Sequence, residues 1–168
     1  MLIKLKSFHL EKLSDHISAL PLLIYYGIFF KYLGGNNLDF NFFIAYMIIS
    51  IITDLMKKLP YPKFMYQITR RPKEACNCDL LSKGGPIPEG TPGFPSGHMT
   101  CITFFAFFII NNYRLSQEQN QLVCLLIPIT AWARIYKKCH NLFQVVGGFI
   151  FGYLYYLGIK GFNITDYI

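Results

Sequence analysis

The chain has 168 residues, 53% hydrophobic and 15% charged, with 16 Phe, 12 Tyr and a formal charge of +7; its mean hydropathy is +0.33. A soluble domain carries about 25% charged residues, so this composition excludes a small water-soluble enzyme. It also excludes a disordered tail and, with an odd five cysteines, a disulfide-stapled miniprotein. What remains is one membrane domain over residues 1–168, whose positive charge is read by its position along the chain and implies no nucleic-acid partner.

Residues 1–20 carry charges throughout and lack a long apolar core, so no cleaved signal peptide is expected. A short N-terminal helix instead leads into the first of five stretches free of Asp, Glu, Lys and Arg: His16–Phe30, Phe40–Thr53, Gly90–Tyr113, Gln119–Ala133 and Asn141–Ile159. Several are shorter than the roughly 20 residues a bilayer core asks for. Flanking residues such as Lys31, Asp39 and Arg114 extend them, because their side chains can reach the interface. The expected fold class is therefore all-α, an integral membrane helical bundle of five transmembrane helices, spanning roughly 16–33, 38–56, 96–112, 119–134 and 141–159.

Five spans put the N-terminus, the 57–95 loop and the 135–140 loop on one face. That face holds 13 of the 16 Lys and Arg residues, leaving Lys31, Arg114 and Lys160 on the other. The positive-inside rule places the first face in the cytosol. Cys76, Cys78 and Cys139 lie on it, as reduced thiols if it is cytosolic and open to a loop disulfide if it is lumenal. With His140 they could be drawn as a Zn²⁺ site, but Cys-Asn-Cys is tighter than the usual two-residue gap, and no metal is expected. The Asn163-Ile164-Thr165 sequon sits too near the last span for a glycan to be expected.

Gly84–Pro95 contains four Gly and four Pro, which rules out helix or sheet there. It runs into Pro95-Ser96-Gly97-His98, and apolar helix formers follow at once from Met99. Ser96, Gly97 and His98 thus open a helix, where unpaired N–H groups and a partial positive charge suit an anion. Gly97 has no Cβ to keep an oxyanion away, Ser96 can donate a hydroxyl, and His98 can carry a proton near neutral pH. Alone, such a tripeptide is most simply an N-cap serine beside an interfacial histidine. Two more polar clusters lie on the same face, however: Arg70-Arg71-Pro72, and Arg134 with His140. Guanidinium groups, a helix N-terminus and two imidazoles together make a cage for a tetrahedral dianion with a nucleophile and a proton donor.

These residues resemble the type 2 phosphatidic acid phosphatases, a superfamily of membrane lipid phosphatases that includes dolichyl and undecaprenyl diphosphatases. Its motifs are a Lys followed after six residues by Arg-Pro; Pro-Ser-Gly-His; and Ser-Arg, five residues, His, three residues, Asp. Pro95-Ser96-Gly97-His98 matches the second motif in full, and Arg134, His140 and Gln144 match the third in spacing, within catalytic segments 95–100 and 133–144. Ala133 replaces the motif's Ser, and Gln144 replaces its Asp. Gln144 lies one helical turn after His140 and can still accept a hydrogen bond from it. A Gln also stands here in relatives resembling dolichyl diphosphatase, so it reads as tuning. Arg71-Pro72 matches the Arg-Pro of the first motif. Lys63 stands one residue too far from it, and Lys57 and Lys58 close the second span, so the lysine is left open.

The resemblance implies a two-step phosphoryl transfer from a lipid phosphate or diphosphate, with neither metal nor cofactor. In it His140 is the nucleophile, His98 the acid and base, Gln144 the orienting group, and Arg71, Ser96, Gly97 and Arg134 the phosphate ligands. Aromatics such as Phe104, Phe107, Tyr153 and Tyr156 would give the lipid tail apolar walls, although packing and lipid contact explain them equally well. Three other activities fit the same cage. A haloperoxidase would bind vanadate in it, but those enzymes are not five-span membrane proteins. A non-catalytic relative would hold lipid headgroups, and a phosphotransferase would use an alcohol in place of water.

Overall fold

Long apolar runs free of Asp, Glu, Lys and Arg favour helices that bury or embed them, and the chain forms them, even across Pro21 in one helix and Pro128 in another. The computed structural model describes residues 2–34, 37–76, 78 and 85–161, with side chains described from residue 10 onward except at 32 and 37. The sequon at Asn163 lies outside the described residues. The helices are α1 (Leu2–Tyr32), α2 (Asn37–Lys57), a short α3 (Tyr66–Thr69), α4 (Gly97–Asn112), α5 (Gln117–Tyr136) and α6 (Leu142–Gly161). No strand occurs among the described residues; the long loop contains only isolated bridges, Arg70 with Pro92 and Cys76 with Pro86. The protein is all-α, as its composition leads one to expect.

The expected short N-terminal helix is not a separate element. Nothing before Pro21 breaks a helix, so it merges with the first span into the 31 residues of α1, which runs through Pro21. The segments Leu10–Lys31, Leu38–Lys57 and Leu142–Gly161 are long and apolar enough to cross a membrane. The other two expected spans fall short. The 16 residues of α4 extend only about 24 Å, and α5 opens with the polar run Gln117–Gln121.

Local chemistry sets the helix ends. Ser116 and Gln119 form a reciprocal capping box at the start of α5, and the Asn141 side chain accepts from Gln144 N at 2.9 Å to start α6. At the end of α5, Lys138 takes φ 55°, the left-handed geometry that closes helices. The chain turns back there, and both Cys139 N and His140 N donate to Arg134 O. The Arg-x5-His spacing is thus a helix C-terminus folded onto its own last turn.

Helix α4 occupies the centre, against α2, α5 and α6, while α1 packs on α2, α4 and α5. Phe42 of α2 stacks on Phe108 of α4, ring centroids 4.3 Å apart, in a core shared with Tyr46, Ile49, Phe104 and Tyr156. Phe104 and Phe108 are thereby buried in the core and do not form walls for a lipid tail. Gly148 and Gly152, one turn apart, let α6 approach α4: a Cβ at Gly152 would lie 2.4 Å from Thr100 O, and one at Gly148 2.6 Å from Ser96 O. The small-residue pair is what membrane helices use for close packing.

That contact gives a direct test. Gly152→Ala should force α4 and α6 apart, at a cost of about 2 kcal/mol, lowering the melting temperature in detergent by roughly 5 °C. Gly158→Ala, where an added Cβ meets open space, should leave it unchanged or slightly raised.

Candidate active site

His140 lies in the tight turn between α5 and α6 and is buried. Its Nδ1 is 3.0 Å from Gln144 Oε1. The carboxamide of Gln144 can point only one way, because its Nε2 donates to two carbonyls, Ile68 O at 3.0 Å and Arg70 O at 2.6 Å. Asn141 N donates to Oε1 at 3.3 Å. Oε1 is therefore an acceptor, so Nδ1 of His140 carries the proton and Nε2 keeps its lone pair in the neutral ring. Burial pushes the imidazole well below its usual range, and the charges of Arg134, Arg71 and His98 push it the same way, against the hydrogen bond to Gln144. His140 is neutral at pH 7, with the electron pair that a nucleophile needs on Nε2.

Gln144 also reaches the other two segments. Its backbone carbonyl accepts from Ser96 N at 3.0 Å, so one residue touches the Arg70-Arg71 loop, the start of α4 and the His140 turn. Gly93 makes this possible, since a Cβ there would lie 2.7 Å from Gln144 Oε1 and 2.8 Å from Arg71 Cγ. Arg71 Nη1 donates to Cys139 O at 3.3 Å, beside His140. Arg70 turns away: its guanidinium lies over the Tyr66 ring and donates to Gly90 O, so it braces the loop.

Arg134 is fully buried. Its Nη2 donates to Cys78 O at 3.0 Å and its Nη1 to Ser18 Oγ at 3.0 Å, which fixes the plane of the guanidinium. Cys78 is joined to Cys139 by a disulfide, so the carbonyls that receive Arg71 and Arg134 belong to the two bonded cysteines. Neither sulfur is then available as a thiolate, which removes the Cys/His arrangement that the sequence allowed one to draw. His98 Nε2 is 3.1 Å from Ser18 O. A carbonyl only accepts, so this nitrogen carries a proton and Nδ1 is the atom at which His98 can exchange one.

At the start of α4 the buried Ser96 Oγ has no hydrogen-bond partner among the described residues. A Cβ on Gly97 would stand 3.3 Å from Lys57 Nζ, so the last residue of α2 brings its ammonium to the helix N-terminus. Lys63 is exposed on the 3₁₀ turn Lys63–Met65. A pocket of about 550 Å³, lined by Asp54, Lys57, Lys58, Arg71, Ile87 and Thr91, adjoins the cluster through Lys57 and Arg71. Lys57 pairs with Asp54 at 2.7 Å.

The fold thus gathers His98, His140, Arg71, Arg134, Ser96, Gly97 and Gln144 at one end of the bundle. Sequence reasoning missed three features: Ser18, the pairing of Cys78 with Cys139, and Lys57 as the lysine nearest Gly97. Ser18 had a faint signal, a Ser14-x3-Ser18 pair one turn before a proline inside a helix. No solved structure matches the chain. A model of the PAP2 superfamily matches residues 37–163, a region containing all of these residues except Ser18. The chain belongs to the PAP2 superfamily, and that membership implies phosphatase action on phosphate esters.

Proposed function

We propose that the protein is an integral membrane lipid phosphatase that cleaves a lipid phosphate or diphosphate through a phosphohistidine on His140. The observation that carries this reading is the pairing of a buried neutral imidazole, its Nε2 lone pair kept by Gln144, with Arg71, Arg134 and Lys57 around the helix start at Ser96. In the first step Nε2 of His140 forms a bond to phosphorus as the bond to the departing oxygen breaks, and His98, which takes a proton onto Nδ1 from the substrate's phosphate monoanion as it binds, gives that proton to the departing oxygen. In the second, His98 takes a proton from water as the water displaces His140. The cations, the Ser96 hydroxyl and the Gly97 N–H hold the equatorial oxygens, where charge spreads in the transition state. Three cations offset a dianion, so the proposal needs no metal.

Support for a lipid comes from the surroundings. The site lies at the ends of helices apolar enough to cross a membrane. An apolar groove of about 220 Å³, lined by Met56, Phe94, Pro95, Ile150, Phe151 and Leu154, starts at Pro95, next to Ser96. We place the substrate's first tail carbons there, in place of Phe104 and Phe108, which fill the core. The disulfide supports an assignment of the side of the membrane. Cys78–Cys139 persists in an oxidising compartment, so we assign the site to the extracytosolic face, against the count of Lys and Arg. Lys57, Arg71 and Arg134, which that count used, serve phosphate in this reading.

Two measurements test these assignments. Purified protein should release phosphate from polyprenyl diphosphate or phosphatidic acid with EDTA present. His140→Ala should lose more than about 10³-fold of the rate, and His98→Ala about 10² to 10⁴-fold. Lys57→Ala should lower kcat/KM roughly tenfold or more, and Lys63→Ala should change nothing. Binding of these lipids without turnover would instead favour a headgroup-binding protein. Separately, alkylating the denatured protein without reductant should modify three cysteines, Cys76, Cys101 and Cys124, the ones outside the disulfide; five modified cysteines would overturn the assignment to an oxidising face.

A further inference from the structure

Helix α1 lies wholly outside the region that the family model matches, residues 37–163, yet it reaches the centre of the site. Ser18 is buried and meets two groups of the phosphate cage at once. Its hydroxyl donates to Ser14 O at 2.8 Å and accepts from Arg134 Nη1 at 3.0 Å. Its carbonyl receives His98 Nε2 at 3.1 Å. A helix carbonyl ordinarily serves only its own ladder; here Pro21, which has no N–H for the Ile17 carbonyl, interrupts the ladder one residue before Ser18. The helix is held in place on both sides. Lys137, in the turn before His140, pairs with Asp15 at 2.5 Å, and Tyr46 Oη donates to Pro21 O at 3.0 Å.

We propose that Ser18 is a positioning residue for the phosphatase reaction, its hydroxyl fixing the Arg134 guanidinium in the orientation that meets the transferring phosphoryl group. The inference rests on the phosphatase reading above and deepens it. Arg134 is clamped from two sides, by Cys78 O in the loop and Ser18 Oγ in α1. Without the hydroxyl, Nη1 would lose its 3.0 Å acceptor on α1, and the direction of the guanidinium would no longer be tied to that helix. That loss costs little when substrate first binds, because Arg71 and Lys57 still attract the dianion. It costs more in the transition state, where the direction of each donor matters.

The test uses the full chain in detergent and three variants. Ser18→Thr and Ser18→Val have nearly the same shape and differ in the hydroxyl, and Ser18→Ala removes it without adding bulk. Ser18→Thr should keep kcat within about twofold of wild type, while Ser18→Val and Ser18→Ala should lose roughly tenfold in kcat with little change in KM. Affinity for orthovanadate, read as thermal protection, should weaken by the same factor in Val and Ala only. In an Arg134→Met background, Ser18→Ala should cause no additional loss of vanadate affinity, since the partner is gone. Wild-type kcat and vanadate affinity in Ser18→Val would overturn the proposal, as would an undiminished effect of Ser18→Ala in the Arg134→Met background. A wild-type protein that releases no phosphate would count against the phosphatase reading, and the vanadate measurements would still decide whether Ser18 orients Arg134.

Discussion

The carboxamide of Gln144 is the interaction on which the site's geometry depends. It is fully buried, so each of its polar atoms needs a partner. The partners come from two separate parts of the chain, His140 and Asn141 on Oε1 and Ile68 and Arg70 on Nε2, and the residue's backbone carbonyl reaches a third at Ser96 N. The amide fixes more than position. Its NH₂ donates to two carbonyls, and this leaves Oε1 to hold Nδ1–H and sets the tautomer of His140. A carboxylate would place an anionic oxygen against those carbonyls. The loop leading to Arg71 is built for an amide, which gives a physical reason for the replacement of the family's Asp.

Crowding cations near a helix N-terminus is unfavourable unless each one is anchored. Here the anchors are mostly backbone carbonyls, which attract a guanidinium without cancelling its charge. Arg71 rests on Cys139 O and Arg134 on Cys78 O, and the disulfide joins these two residues covalently. Lys57, at the wet edge, has Asp54 instead. The charge is thus held for an anion to neutralise, and buried His140 stays neutral beside it. A preorganised field of this kind needs little rearrangement when negative charge develops.

The fold was legible in the sequence to the extent that charge-free apolar runs dictate helices, and the boundaries of α2 and α6 lie close to where those runs end. Crossing a membrane was less legible. The run that includes α4 begins with Gly- and Pro-rich loop, and α5 starts in polar residues that count neither as acids nor as bases. The cage was legible because Pro-Ser-Gly-His and Arg-x5-His report local turns and helix starts. The chain's own additions were harder to see, because they depend on tertiary contact. Nothing local links Cys78 to Cys139, 61 residues on. Nothing local tells that Ser18 meets Arg134, 116 residues away, or that Lys57 in place of Lys63 approaches Gly97.

The central claim is that a neutral His140, presenting Nε2, takes the phosphoryl group. The most direct measurement mixes the protein with lipid phosphate carrying labelled phosphorus, quenches in alkali, in which phosphohistidine survives, and locates the label by peptide mass spectrometry. The account predicts label on the His140 imidazole and none in His140→Ala. Label on His98, or steady turnover with no labelled histidine at any time, would contradict it.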